Sequence, residues 1–348
     1  MILNLDQSIV NSEKKLWDEY VTKHPESTPY HLFAWYETVN RAYKYNGHYL
    51  IAKTGNKICG VMPIIHMHMF NFFNRYVALP YCDQGDVLAD NLEIKQKLIH
   101  YAISMAHNNR INFIEIRNKT KDEHLHPNKV ITLSQKVSMT LDIPNSSGAL
   151  WNSFSSKLRS QIKKAKKNGL SFRIGGIELV EDFYYVFSVN MRNLGSPVHS
   201  KIWIMEIIRN YNKNARIGIV YYGNTPIGVG IIILTGKKAF VPWGSTLKRY
   251  NSLAPNMLLY WHFLEYAADN GAYFFDFGRS SIDEGTYRFK KQWGALPKQL
   301  YWHYILINKR EFDSSLPSKR EFVEQLWQKL PINIANLIGP YIRKHISL

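Results

Sequence analysis

The sequence is poor in the features that define several large protein classes. Its only cysteines are Cys59 and Cys82, too few for a disulfide framework and not spaced as metal ligands, which is typical of a reducing cytoplasm. No apolar run has the length of a membrane span, and the first residues lack the basic lead and apolar stretch of a signal peptide. We therefore expect a cytoplasmic protein without a disulfide scaffold.

Several catalytic and cofactor-binding motifs are also absent. No loop has the glycine and lysine spacing of a nucleotide-binding site, and no Gly-x-Ser-x-Gly elbow occurs. The pairs His66/His68 and His124/His126 have no acid or thiol to complete a tetrahedral set. The sequence thus disfavours nucleotide hydrolysis and a covalent serine mechanism, and it predicts no metal site and no cofactor.

What the sequence has is apolar, aromatic and basic residues. Of its 348 residues, 45% are hydrophobic and 14% aromatic, which indicates a folded globular protein with an aromatic core. The 44 Lys and Arg residues against 27 Asp and Glu residues give a net charge of +17. This excess favours an anionic partner such as tRNA, a phosphorylated lipid precursor or an acidic membrane face.

The two halves of the chain repeat one plan: a hairpin, a strand, a helix, and a strand that carries one acid. Each hairpin turns at a Gly-Asn pair, because both residues accept positive φ. The matched positions are residues 55–60 with 223–228, Ala106 with Ala267, Glu115 with Asp276, and residues 16–17 with 150–151.

This order predicts a mixed α/β fold of two tandem domains, each with a mostly antiparallel mixed sheet and flanking helices. The turn-rich residues 144–148 suggest the boundary. We expect domains at residues 1–145 and 146–315, followed by an amphipathic tail at residues 316–348. The second domain is the candidate for the active site.

Residues 273–294 concentrate the candidate chemistry. Asp276 interrupts an aromatic strand, and a buried charge there requires a partner. Gly278 allows a sharp turn, after which Arg279 and Ser280 supply hydrogen-bond donors. Planar and cationic side chains follow, among them Tyr287, Lys290 and Trp293. The mixture suits a polyanionic or acyl substrate; the alternative is a strand in which Asp276 simply pairs with Arg279.

Two further cationic features lie in the second half. Residues 158–169 predict a helix with Leu158, Ile162 and Ala165 inward, and with Arg159, Lys163 and Lys167 on one outer face. Those like charges repel unless an anion lies across them, although a solvated face is an equal alternative. Arg192, near a predicted loop, is a candidate anion clamp, with a solvated cation as the alternative.

The tail after residue 316 has apolar residues at helical spacing, a break at Pro331 and an interruption at Gly339-Pro340. We expect it to pack on the body of the protein. The alternative is docking on an anionic membrane leaflet, because cations flank the apolar series.

The same motifs resemble the FemAB-like acyltransferase family, and in particular its branch found with exosortase/PEP-CTERM systems. The resemblance covers nearly the whole chain. It is carried by residues 276–280 (DFGRS), 289–294 (FKKQWG), 164–169 (KAKKNG) and 190–197 (NMRNLGSP), with supporting matches at His31 and at residues 79–81, 115–117 and 327–332.

The resemblance implies two tandem GNAT-type domains and transfer of an aminoacyl group from charged tRNA to an amine of a cell-envelope precursor. An acyl-CoA-dependent GNAT N-acetyltransferase is the first alternative, although residues 247–257 lack the glycine-rich loop that holds the pyrophosphate of acyl-CoA. The second is a non-catalytic binding module for anionic envelope lipid or glycan.

The resemblance also suggests roles for individual residues. The match at Phe289-Lys290 makes Lys290 the candidate for holding a donor phosphate or stabilising the oxyanion, and we expect it to be solvated. Asp276 would orient Arg279 or Lys290. Asp83 is a weaker candidate for the general base, with simple loop capping as its alternative. Substrate contacts are predicted at Arg279, Ser280, Arg192, Arg159, Lys163, Lys167, Tyr287 and Trp293.

Overall fold

The computed structural model describes residues 1–5, 11–69, 73–121, 130–308 and 317–348. The chain forms two compact units. The first comprises Met1–Val137, Gln299–Ser314 and His345–Leu348, and the second comprises Ser138–Lys298 and Ser315–Lys344. The chain thus returns to the first unit after residue 298, a crossing that the predicted domain at residues 146–315 does not include.

The strands and helices follow the predicted mixed order. The strands are β1 (Ile2–Leu5), β2 (Gly47–Thr54), β3 (Lys57–Met69), β4 (Phe73–Val77), β5 (Leu88–Ala89), β6 (Phe113–Asn118), β7 (Val130–Leu133), β8 (Val137–Asp142), β9 (Leu170–Gly175), β10 (Ala215–Tyr222), β11 (Thr225–Thr235), β12 (Lys238–Thr246), β13 (Phe274–Ser280), β14 (Leu296–Gln299) and β15 (Tyr301–Leu306). The helices are α1 (Asn11–Lys23), α2 (Phe33–Tyr43), α3 (Leu92–Asn108), α4 (Ser147–Ser153), α5 (Ser156–Lys167), α6 (Val180–Asn193), α7 (Lys201–Tyr211), α8 (Pro255–Asp269), α9 (Gly285–Lys291), α10 (Pro317–Gln328) and α11 (Ile332–Arg343).

The first unit is built on a sheet of order β1-β2-β3-β4-β6-β15-β7, with β5 paired to β3. Helix α3 packs on this sheet. Its N-cap is Asn91, whose side chain accepts a hydrogen bond from the Ile94 N–H. Gly60 of β3 permits the close approach, because a Cβ there would lie 2.7 Å from Ile94. The core between helix and sheet includes Leu50, Met62, Ile64, Leu98, Ala102 and Ile114.

The second unit has the sheet order β14-β8-β13-β12-β11-β10-β9. Gly218 and Gly230 face each other across β10 and β11. A Cβ at either glycine would come within 2.6 Å of the Phe263 ring, so the pair provides the space into which α8 packs. Gly244, opposite Gly230 on β12, leaves room for Tyr260 in the same way. A row of glycines across three strands therefore sets the position of α8.

The predicted repeat is visible in the pairing of the strands. Both hairpins turn through Gly-Asn, and each has an irregularity at the same distance from its turn, between Ala52 and Lys53 in β2 and between Val220 and Tyr221 in β10. Each sheet also contains one parallel pair of strands, β4 with β6 and β12 with β13. In each pair an acidic residue, Glu115 or Asp276, occupies the last paired position. The predicted mixed α/β fold with two sheets is confirmed.

The tail forms two helices that separate at Pro331, as predicted. The predicted interruption at Gly339-Pro340 is wrong, because α11 continues through both residues. Trp327 and Ala335 are buried, whereas several larger apolar side chains of the tail are exposed. Across the described ranges, no helix combines the length and apolarity needed to cross a bilayer.

Candidate active site

The candidate site lies where β12 and β13 diverge. These parallel strands pair at Lys238, Ala239 and Phe240, opposite Phe274, Phe275 and Asp276. Both strands then continue, to Thr246 and Ser280, without further described pairing between them. We call the space beyond this last pair the β12/β13 cleft. It places the sequence motif of residues 276–280 along one edge of an opening in the sheet.

Asp276 is buried, with 2% of its surface exposed. Its carboxylate accepts hydrogen bonds from Ser138 Oγ, at 2.8 and 2.9 Å to its two oxygens, and from the Gly278 N–H at 2.7 Å. These bonds provide the partner that a buried carboxylate requires. The donors of these bonds lie on β8 and in the turn at Gly278, and the predicted orienting role of Asp276 toward Arg279 or Lys290 stays a prediction.

Lys290 lies on α9 and is buried, with 7% exposed, so the expectation of a solvated lysine is wrong. Its Nζ donates to the Gly278 carbonyl at 3.0 Å and to the Arg279 carbonyl at 2.7 Å. Gly278 has φ of +78°, a conformation that strongly favours glycine. Two side chains therefore fix the backbone of Gly278 in its left-handed conformation. Asp276 accepts a hydrogen bond from the Gly278 N–H, and Lys290 donates one to the Gly278 carbonyl.

Two buried donors of this region have no hydrogen-bond partner within the described ranges. They are Ser280 Oγ, on a residue 4% exposed, and Trp293 Nε1, on a residue 2% exposed. Buried polar groups are nearly always hydrogen-bonded, and an unmade bond costs about 1–3 kcal/mol. Both residues were predicted to contact substrate, and an acceptor supplied by a ligand would satisfy them.

Aromatic side chains pack around this region. Trp293 lies edge-on to Phe154, with ring centroids 5.6 Å apart, and the Phe289 ring meets Tyr260 at 5.2 Å. Tyr260 also stacks on Phe277 of β13, and burial raises its pKa to about 12. Tyr260 is therefore neutral at physiological pH. Tyr287, another predicted contact, is buried on α9 with the Lys291 ammonium 5.8 Å from its ring.

The predicted basic helix is α5. Its N-cap is Ser155, whose side chain accepts a hydrogen bond from the Leu158 N–H. The helix buries Leu158, Ile162 and Ala165, as predicted. Lys163 and Lys167 are exposed. Arg159 is half-buried and bonds to the carbonyls of residues 151 and 152 at 3.4 Å. Among the described residues, no acid pairs with the cations of α5, so its outer face remains a candidate for anion binding.

Arg192 lies in the last turn of α6, not in a loop. Its guanidinium donates to the Gln328 carbonyl at 3.1 Å and so ties α6 to α10. This contact satisfies one guanidinium nitrogen, whereas the buried Arg192 Nε has no hydrogen-bond partner among the described residues. Its predicted role as an anion clamp stays a prediction.

In the first unit, other residues fill the position in the sheet that corresponds to the β12/β13 cleft. Glu115, the counterpart of Asp276, is buried with Arg117, whose Nε donates to it at 2.9 Å. Burial acts to raise the pKa of Glu115, but the charges of Arg117 and Arg75 hold it below its usual value. Gly85 bridges to Arg117, and Ser347 Oγ donates to Glu115 at 2.9 Å. Backbone and C-terminal residues thus occupy this position.

Two other predicted features belong to the first unit. Asp83 is half-buried on the loop after β4, which includes Gly85. His66 Nε2 lies 2.6 Å from Asn74 Oδ1, and its ring centre is 5.0 Å from that of His68. The pair His124/His126 lies outside the described residues.

Comparison with known proteins finds a family model that matches part of the second unit. Residues 152–291 match the family model described as an acetyltransferase (GNAT) domain. This segment is an acyltransferase domain. It contains α5, the β12/β13 cleft and Lys290, and the match confirms the predicted enzyme class. No curated protein matches the chain in sequence.

Solved structures share the fold over most of the chain. FemX is 15% identical, with a TM-score of 0.65 over 92% of this chain and 100% of that one. The C-terminal domain of a putative lysylphosphatidylglycerol synthetase from Agrobacterium fabrum is 9% identical, with a TM-score of 0.58 over 90% and 97%. A tandem GNAT protein from the clavulanic acid biosynthesis pathway is 11% identical, with a TM-score of 0.52 over 87% and 98%. The chain therefore has a tandem GNAT-like fold.

Proposed function

We propose that the protein transfers an aminoacyl or acyl group to an amine of a cell-envelope precursor, at the β12/β13 cleft of its second unit. The observation that carries this proposal is the buried Lys290, held by the Gly278 and Arg279 carbonyls at the point where the strands diverge. It lies within the segment that matches the GNAT acetyltransferase domain.

The chemistry requires a group that binds developing negative charge and a route for the amine proton. When an amine attacks an acyl carbon, the carbonyl oxygen becomes an oxyanion and the nitrogen must lose a proton. The oxyanion then collapses, the bond to the donor breaks, and the released ribose hydroxyl or thiol takes up a proton. Lys290 supplies positive charge for the oxyanion or for a donor phosphate. Ser280 and Trp293 supply buried donors that lack a described partner. Asp276 fixes Gly278 rather than acting as the base, and Asp83 remains the weaker base candidate.

The type of acceptor is suggested by two similar folds. The putative lysylphosphatidylglycerol synthetase is named for a membrane lipid, and the folds of its C-terminal domain and of FemX extend over at least 90% of this chain. Together with the motifs at residues 276–280 and 289–294, this supports a FemAB-like reaction, and we keep the exosortase-associated branch as part of the proposal. The same proposal places the protein in the cytoplasm, where a lipid-linked acceptor is reached from the inner leaflet.

The exposed cations of α5 suit an anionic substrate such as charged tRNA or a phosphorylated precursor. Its Lys163 ammonium lies 6.0 Å from the ring of Trp151, at the edge of the aromatic cluster. An acyl-CoA donor is the second candidate. It is favoured by α8, which begins at Pro255 without a side-chain cap, because the positive end of the helix dipole there attracts a phosphate. A non-catalytic module for anionic envelope lipid or glycan is the third.

The test incubates purified protein with charged tRNA and, separately, with acyl-CoA, each with an amine-bearing envelope precursor. Loss of the acyl group from charged tRNA supports the first candidate, and loss from acyl-CoA alone supports the second. Binding of the precursor with neither donor consumed would favour the binding module.

A further inference from the structure

Helix α11 turns small and polar residues toward the protein and large apolar residues away from it. Gly339 packs against Val198, since a Cβ there would lie 3.2 Å from the Val198 nitrogen. The Asn336 amide donates to Ser188 Oγ at 3.4 Å. The outward residues are between 36% and 68% exposed, namely Ile334, Leu337, Ile338, Tyr341 and Ile342.

Helix α10 has three more exposed apolar side chains, each at least 50% exposed: Phe322, Val323 and Leu326. Its own attachment is made by the buried Trp327 and by the bond from Arg192 to the Gln328 carbonyl. Both helices are therefore fixed through their inner faces. We call the eight outward residues of α10 and α11 the tail surface. Exposed apolar side chains on a folded protein are normally scattered singly, whereas these eight fall within residues 322–342.

The charge around the tail surface identifies its partner. Helix α11 contains no acidic residue. Helix α10 contains Glu321 and Glu324, and Glu324 packs against Gly195 on the inner face. The exposed Lys329 lies between the two helices. Lys344 directly follows α11, and the whole chain carries a net charge of +17. A second copy of the chain would bring like charges together. An outward apolar face beside cations instead has the character of a helix that lies in the surface of an acidic bilayer.

We infer that the tail surface docks on an anionic phospholipid bilayer, with α10 and α11 lying in the headgroup region. This binding needs neither an acyl donor nor an acceptor, so its failure would leave the proposed transfer reaction standing. Deleting the tail would be a poor test, because Trp327 and Gly339 cover α6 and its loop. Substitution of outward side chains leaves those inner contacts in place.

The experiment is co-sedimentation of the full chain with vesicles of phosphatidylglycerol and phosphatidylcholine, and with pure phosphatidylcholine. We expect binding to the anionic vesicles that added salt weakens but does not abolish. The double variant Leu337→Gln/Tyr341→Gln should lower the partition coefficient at least about tenfold, because it removes two of the most exposed apolar groups. The matched control is Ile177→Gln/Tyr222→Gln, whose side chains are 44% and 47% exposed outside the tail.

Three results would overturn the inference. The first is no binding of the wild-type chain to anionic vesicles, and the second is an equal loss in the tail and control variants. The third is a wild-type dimer, seen by light scattering, that the tail variant abolishes while vesicle binding stays unchanged. Circular dichroism of both variants checks that each is folded.

Discussion

Replacing Lys290 by methionine separates the structural from the chemical role of this buried ammonium. Methionine keeps the length and apolar body of the side chain but cannot donate hydrogen bonds. Hydrogen bonds from a charged donor contribute about 1.5–3 kcal/mol each. The two acceptor carbonyls belong to half-buried residues that water can partly satisfy. We therefore expect a loss of about 2–3 kcal/mol in the free energy of unfolding, rather than an unaffected fold.

The assay follows urea unfolding by tryptophan fluorescence and, at a temperature where the variant remains folded, transfer of the acyl group. The matched control is Lys291→Met, since Lys291 is the exposed neighbour on the same helix. It should stay within about 0.5 kcal/mol of wild type and retain transfer. A Lys290→Met variant that is as stable as wild type would refute the reasoning about the carbonyls. A folded variant with undiminished transfer would refute the role of Lys290 in the reaction.

Three further predictions address Gly278, the basic helix α5 and the half-buried Asp18. Gly278→Ala should cost about 1 kcal/mol in stability and reduce transfer. The control is Gly223→Ala, at φ of +56° in a hairpin turn, which should cost a similar amount of stability without affecting transfer. Equal transfer in both variants would contradict the role of the cleft. Neutralising the outer cations of α5 should weaken binding of the anionic substrate and flatten its salt dependence, while an equal charge change elsewhere on the second unit should not; a salt titration of affinity decides. The test variant carries Gln at Arg159, Lys163 and Lys167. The control variant carries Gln at Lys213, Lys237 and Lys298. Burial raises the pKa of Asp18 from 3.8 to about 6, so the contribution of Asp18 to stability falls as pH rises from about 4 to 6. Asp18→Asn keeps the acceptor for the Phe33 N–H and should be about 1–2 kcal/mol more stable than wild type at pH 7. Below pH 4 the two proteins should be equally stable, and urea unfolding at both pH values measures the difference.

The parts of the fold that sequence reasoning predicted are those with local signals. The Gly-Asn turns predicted both hairpins, because few other residue pairs accept positive φ at two successive positions. The apolar spacing of Leu158, Ile162 and Ala165 predicted the inner face of α5. These features depend on residues within a few positions of each other.

The contacts that define the cleft are not local, and sequence reasoning missed them. Ser138 lies 138 residues before Asp276, so no spacing rule relates the hydroxyl to the carboxylate. The return of β15 to the first sheet was missed for the same reason. Lys290 was expected to be solvated because it is a charged residue near the end of a strand, and only the structure shows that its ammonium bonds to two carbonyls.

The tail shows the limit of hydrophobic periodicity. An apolar stripe at helical spacing predicts an amphipathic helix, but it does not say whether the stripe faces the protein. On α11 the small residues Ala335 and Gly339 allow close packing inward, so the larger Leu337 and Tyr341 are left outward. The expectation of a tail that simply packs on the body is therefore correct for one face and wrong for the other.

The central claim is tested most directly by the bond that the protein makes. After incubation with donor and an amine-bearing envelope precursor, the precursor is analysed by mass spectrometry before and after treatment with hydroxylamine, which cleaves esters but not amides. We expect the mass of the precursor to rise by that of the acyl group, in a linkage that survives hydroxylamine and is not formed by a folded Lys290→Met variant. A hydroxylamine-labile product, or an unchanged precursor with both donors intact, would contradict N-acyl transfer.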